Sequence, residues 1–152
     1  MRRFTFNLLA VLIAAFALIQ LVPIDPPENP PLETEMPLPA EVRTLFLRSC
    51  YDCHSFETEW PWYSKVAPAS WLIKREVDEG RAALNFSAWN RFTAQEQQEL
   101  PDKIWDVVLS GKMPPAYYLL LKRDAKFSGR DMGILRAWYA DNDSGRRSVS
   151  AP

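Results

Sequence analysis

Residues 50 to 54 read Cys-Tyr-Asp-Cys-His and hold both cysteines and the only histidine of this 152-residue chain. No thiol is left over for a disulfide framework and no imidazole for a second metal site, and chance is a poor account of such clustering. Thiols at i and i+3 on a turn of helix lie along one edge, where they can add to the two vinyl groups of a porphyrin. The adjacent imidazole is then held beneath the iron as an axial ligand. C-x-x-C-H is the attachment pattern of haem c, one motif giving both covalent attachment and proximal coordination. Cys50, Cys53 and His54 are therefore the candidate cofactor-binding residues, with His54 as the iron ligand.

Other uses of the motif are poorer fits. A structural zinc site needs about four ligands, and beyond these three only a carboxylate could complete it. A thiol-disulfide oxidoreductase carries C-x-x-C in a βαβ setting, whereas the flanking pattern here is helical. A disulfide across so short a loop stabilises little.

An electron carrier usually has both axial positions of its iron filled, and methionine opposite histidine raises the potential. The methionines are Met1, Met36, Met113 and Met132. Met1 precedes the apolar segment, Met36 lies in a proline-rich stretch, and Met132 sits on the apolar face of the last helical segment, where it reads as core. Met113 lies in Ser110-Gly111-Lys112-Met113-Pro114-Pro115, just after a helix end. Two prolines fix the backbone beside it, as holding a thioether over iron requires. It is the candidate sixth ligand; filling a gap in the core is the alternative.

Phe4 to Val22 is almost continuously apolar, follows Arg2 and Arg3, and precedes a stretch with no basic residue before Arg43. Its 19 residues would make a helix of roughly 28 Å, close to a bilayer's hydrocarbon core. Residues 1-22 are thus expected to be a single-pass anchor in the cytoplasmic membrane with its amino terminus inside. The rival is a cleaved signal peptide, since Ala15-Phe16-Ala17 has the small-x-small form of a cleavage site. Both readings put the remainder outside the cytoplasm, in the periplasm or at the cell exterior. Residues 22 to 39 carry seven of the 13 prolines, so 23-39 reads as a polyproline stalk or as an irregular strap packed on the domain.

From Pro39 the periodicity becomes helical. Val42, Leu45, Phe46 and Ser49 share a face on a helix running into the cysteine motif. Pro68 to about Arg81 is a second helix, ended by Gly80. Thr93 to Glu96 forms a capping box, after which Leu100, Ile104, Val107 and Val108 share a face up to Gly111, with Pro101 expected to kink or split the segment. Ser128 to Asp131 caps a last helix bearing Met132, Leu135, Trp138 and Tyr139. No stretch alternates as a strand does. The expectation is an all-α, cytochrome c-like domain over 40-143 around a covalently bound haem, followed by a polar tail over 144-152.

Of 19 aromatic residues, 16 fall between Ala40 and Asp143. Trp60, Trp62, Tyr63 and Trp71 either wall a porphyrin or build the core of a helix-poor segment. Arg75 and Lys112 are candidate propionate partners, and Lys122-Arg123 reads as a solvated face. With a net charge of -1 and no basic stripe, a nucleic-acid partner is excluded. No acid-base pair, nucleophile or second metal site stands out, so the chain reads as an electron carrier rather than an enzyme. A peroxidase-like enzyme or a ligand or redox sensor with an open sixth position is the alternative, and an accessory role with haem as a folding staple is a third. The redox partners are not named by the sequence.

The helix entering C-x-x-C-H, the methionine-proline loop and the closing helix resemble class I c-type cytochromes in order. The stretches CYDCHSFETEWPWYSKVAPASWLIKREVDEGR, ALNFSAW, GKMPPAYYLLLKRDAKFS and LRAWYA, from Cys50 to about Trp138, more specifically resemble the haem-binding domain family of small, membrane-anchored bacterial proteins. That resemblance implies covalent haem c and an extracytoplasmic location. Two positions depart from the family pattern. Phe56 stands where an asparagine commonly follows C-x-x-C-H-S, and Lys122-Arg123 stands where His-Pro often follows Y-Y-x-L-L. A family histidine at that second position cannot serve as a ligand here.

Overall fold

The computed structural model describes residues 2–22, 24 and 28–150, and side chains from residue 3 to residue 145 within that set. Met1, Pro23, residues 25–27 of the linker and the last two residues of the tail lie outside the described residues. Among the described residues seven helices follow in order: α1 (Arg2–Ile19), α2 (Ala40–Ser49), α3 (Tyr51–His54), α4 (Ala69–Ala83), α5 (Ala94–Leu109), α6 (Ala116–Leu121) and α7 (Gly129–Ser150). Single 3₁₀ turns occupy Trp62–Lys65, Trp89–Arg91 and Arg123–Ala125. Among the described residues there is no strand, only one isolated parallel bridge between Thr34 and Ala88. The domain is all-α, as the periodicity predicts.

Each helix end follows from local chemistry. The Thr93 hydroxyl accepts the Glu96 N–H while the Glu96 carboxylate accepts the Thr93 N–H, starting α5 with the expected capping box. At its other end Gly111 adopts φ 70°. The Gly111 N–H donates to the Val108 carbonyl and that of Lys112 to the Val107 carbonyl, a Schellman closure that a Cβ would strain. Ser128 and Asp131 exchange the equivalent pair of bonds ahead of α7.

Several expectations are corrected. Pro101 does not split its segment: α5 runs through it, and the buried proline ring offsets the missing amide bond. The last helix continues through the polar residues of the tail to Ser150, since a lone Gly145 costs only about 1 kcal/mol. Gly80 does not end α4, which extends to Ala83. α1 stops at Ile19 rather than Val22, where the Gln20 side-chain amide pairs with both backbone groups of Ala67, at 3.1 and 3.0 Å. No helix among the described residues is long and apolar enough to cross a membrane.

Of the two forms open to the proline-rich segment, residues 28–39 take the strap. The Glu33 and Thr34 N–H groups both donate to the Ser87 carbonyl, Met36 N–H to the Phe86 carbonyl and Trp89 N–H to the Thr34 carbonyl. Met36 is buried in the core. Arg81 of α4 fastens the strap's beginning: its guanidinium donates to the Glu28 carbonyl, the Asn29 side-chain oxygen, the Ser55 carbonyl and the Thr58 hydroxyl, and lies over the rings of Phe56 and Trp60. Replacing Arg81 by methionine keeps the stem but none of the bonds, and is expected to cost about 2 kcal/mol. Urea unfolding measures it; an unchanged midpoint would mean that water replaces these bonds without loss.

The core joins α2, α5 and α7 to the motif through aromatic rings. Phe46 packs on Phe86 at 5.2 Å and edge-on to Trp138 at 5.7 Å, and Phe86 stacks on Tyr51 at 4.9 Å. Trp105 stacks on Tyr139 at 5.4 Å, tying α5 to α7. Val42, Leu45, Phe46, Leu100, Ile104, Val108, Leu135 and Trp138 are buried as their spacing predicts. In the tryptophan-rich stretch Trp62 is 79% exposed, whereas Trp60, Tyr63 and Trp71 are half-buried.

Candidate functional site

The helix entering the motif breaks inside it. α2 ends at Ser49, Cys50 leaves helical geometry with φ -130° and ψ -34°, and Tyr51–His54 form a separate turn, α3. The Cys53 and His54 N–H groups both donate to the Cys50 carbonyl, at 3.1 and 3.0 Å, so the two cysteines and the histidine are held on one closed turn. Buried Tyr51 roots that turn in the core; its hydroxyl donates to Glu35 of the strap.

α4 fixes the rest of the geometry. A Cβ on Gly80 would lie 2.4 Å from the Cys53 carbonyl oxygen, so α4 reaches the motif only because residue 80 has no side chain. This close approach brings the end of α4 to the imidazole. His54 Nδ1 lies 2.9 Å from the Gly80 carbonyl oxygen and 3.1 Å from that of Leu84. Carbonyls only accept, so the proton sits on Nδ1 and the lone pair of Nε2 is left for a metal. Burial pushes the His54 pKa below its ordinary value, and the bonds to Leu84 and Gly80 oppose this only partly. The ring is therefore neutral, as ligation requires. The His54 carbonyl accepts the Phe86 N–H at 2.8 Å, which fixes the backbone under the ring.

Cys50 and Cys53 are free and partly buried. Burial, then the neighbouring thiol, pushes Cys50 up to about 12; burial, then the Asp52 and Glu76 carboxylates, pushes Cys53 up to about 11. Reactive thiols of disulfide exchange have depressed values, so this environment argues against that use. Among the described residues no group of three or more His, Cys, Asp or Glu side chains could hold a metal ion, which leaves the zinc reading without its extra ligand.

Met113 is separated in sequence from the motif but held from both sides. Its N–H donates to the Val107 carbonyl at 3.0 Å, and Pro114 and Pro115 lead directly into α6. Met36 is buried and Met132 packs against the core, so Met113, 36% exposed, is the described methionine whose thioether the core does not use. Lys122 is not on a solvated face, as its charge suggests, but half-buried: its ammonium donates to Asp52 at 2.8 Å and lies 3.7 Å from Glu59. Arg75 pairs with Glu76 and Glu79 on its own helix instead of standing free.

The residues present suit a haem. Two free thiols share a turn with an imidazole whose Nε2 is free. Among the described residues, Arg48 Nε, Trp71 Nε1 and the hydroxyls of Ser49 and Ser64 are buried with no hydrogen-bond partner, donors of the kind a carboxylate accepts. Tyr117, Leu120 and Leu121 of α6 are exposed, an apolar surface left uncovered by the chain's described residues.

Three contributors escape sequence reasoning. Gly80 carries the signature of a helix terminator, and only its neighbour shows its role. Asp52, Tyr118 and Lys122 lie in two distant stretches whose charges alone say nothing of pairing. The Gly80 and Leu84 carbonyls have no side-chain signature at all. A family model described as a haem-binding domain matches residues 14–141 of the chain. No curated protein and no solved structure was found to match.

Proposed function

Because the chain belongs to the haem-binding domain family, we propose that the haem it binds is a single haem c, joined by thioethers to Cys50 and Cys53, with His54 as proximal ligand, Met113 as sixth ligand, and one-electron transfer as its role. The observation that carries this reading is the double carbonyl bond to His54 Nδ1, which presents Nε2 beside two free thiols. Haem when bound supplies an iron that cycles between two oxidation states. The protein's own part is to orient the imidazole through Gly80 and Leu84, to keep it neutral by burial, and to hold Met113 between α5 and α6. No described helix is long and apolar enough to cross a membrane, so α1, with Phe4, Phe6 and Leu12 exposed and two arginines ahead of its apolar run, is read as a signal that directs the domain to the extracytoplasmic side.

One observation favours a second reading. Met113 is 36% exposed rather than packed, so a weakly held sixth position would suit a ligand sensor or a peroxidase-like enzyme. Carbon monoxide separates the two: a carrier with a firm methionine binds it slowly, a sensor at once.

The attachment is tested on the full chain expressed with a haem-attachment system. Haem is expected to stay with the polypeptide after acid extraction, and Cys50→Ala with Cys53→Ala together are expected to abolish that retention. Acid-stable haem in the double variant would refute thioether attachment at these cysteines.

A further inference from the structure

We propose that Asp52 is a positioning residue whose carboxylate latches α6, and with it the Met113 segment, onto the haem-attachment turn; its bearing on iron rests on the reading of Met113 as axial ligand. Asp52 lies between the two cysteines on α3, and its side chain is only 15% exposed. One carboxylate oxygen accepts from the Tyr118 hydroxyl at 2.7 Å and from the Lys122 ammonium at 2.8 Å. The other accepts the Glu59 N–H at 3.1 Å. Tyr118 lies within α6 and Lys122 is the residue that caps its end, its N–H donating to the Tyr118 carbonyl, so the two side chains sit on the same side of the helix. A single carboxylate thus grips the short helix at two points.

Packing alone does little of this work. α6 has six residues, none of them fully buried and only Tyr118 and Leu119 half-buried, so hydrophobic burial holds it weakly. Its other tie runs from Tyr117 to Glu76 of α4 and is exposed to solvent, where such bonds contribute little. The Asp52 bonds are partly shielded and charge-assisted, the stronger class. Only two residues, both prolines, lie between Met113 and the start of α6. Fixing α6 therefore fixes one end of the Met113 segment, while the bonds of Lys112 and Met113 to the Val107 carbonyl fix the other. The thioether, itself unburied, is aimed by its flanks.

The test uses the full-chain holoprotein with Asp52→Ala, the pair Tyr118→Phe with Lys122→Met, and Met113→Ala. Amide hydrogen exchange over residues 116–122 and cyanide binding to the oxidised protein are measured. Both latch variants are expected to speed exchange of α6 at least tenfold and to speed cyanide binding, with the latch change adding nothing further once Met113 is alanine. Unchanged α6 exchange in both would overturn the latch. Faster α6 exchange with cyanide binding unaltered by Met113→Ala would support the latch and overturn methionine ligation. If Asp52→Ala fails to load haem, the pair on α6 leaves the attachment turn untouched and decides the question.

Discussion

Gly80→Ala is expected to be the most damaging one-atom change in this chain. In an ordinary helix interior the substitution stabilises by about 1 kcal/mol, because alanine loses less backbone freedom. Here the added methyl would fall 2.4 Å from the Cys53 carbonyl oxygen, and backbone on both sides leaves no flexible group to give way. Relief requires α4 to back off from α3, which also withdraws the Gly80 and Leu84 carbonyls from His54. The net cost is expected to reach about 3 kcal/mol, and the freed imidazole is expected to load haem poorly. Thermal unfolding and the yield of acid-stable haem measure both effects. A more stable variant would mean that the two helices are not in contact in solution.

Phe86→Ala is expected to approach it from the core side. Phe86 is 1% exposed, stacks on Tyr51 and packs on Phe46. Its N–H holds the His54 carbonyl and its carbonyl holds Met36. Loss of a buried phenylalanine costs about 3–5 kcal/mol, and small domains have only about 5–15 kcal/mol in total. The variant is expected to be largely unfolded at 37 °C without haem, by circular dichroism. The milder Phe86→Leu refills most of the volume and should recover most of the stability; equal losses in the two would assign the effect to the stacked rings rather than to the cavity.

The candidate site is legible because its two thiols and imidazole lie close in sequence. Cys50, Cys53 and His54 need no fold to be found, and the capping residues Thr93, Glu96, Ser128 and Asp131 signal helix starts through bonds that span three residues. Gly111 was equally legible, since a glycine after an apolar helical face has a local reason to be there. Gly80 looked the same and meant something different: its constraint comes from Cys53, 27 residues away. Lys122 misled for a related reason. Its charge favours solvent when taken singly, and only the fold supplies Asp52 as its partner. Pro101 breaks a helix by its own preference, but the burial of its ring tips the balance. The strap between residues 28 and 39 has no side-chain signature because peptide groups hold it, and every residue has those.

The strap also sets where the domain can be cut. A fragment begun at Ala40, the first helical residue after the prolines, would lose Met36 from the core, leave the Ser87 and Phe86 carbonyls unmatched, and strip Tyr51 and Arg81 of acceptors on the preceding chain. The smallest piece that keeps every one of these partners begins at Glu28, twelve residues earlier, so an excised domain should be designed from that residue onward.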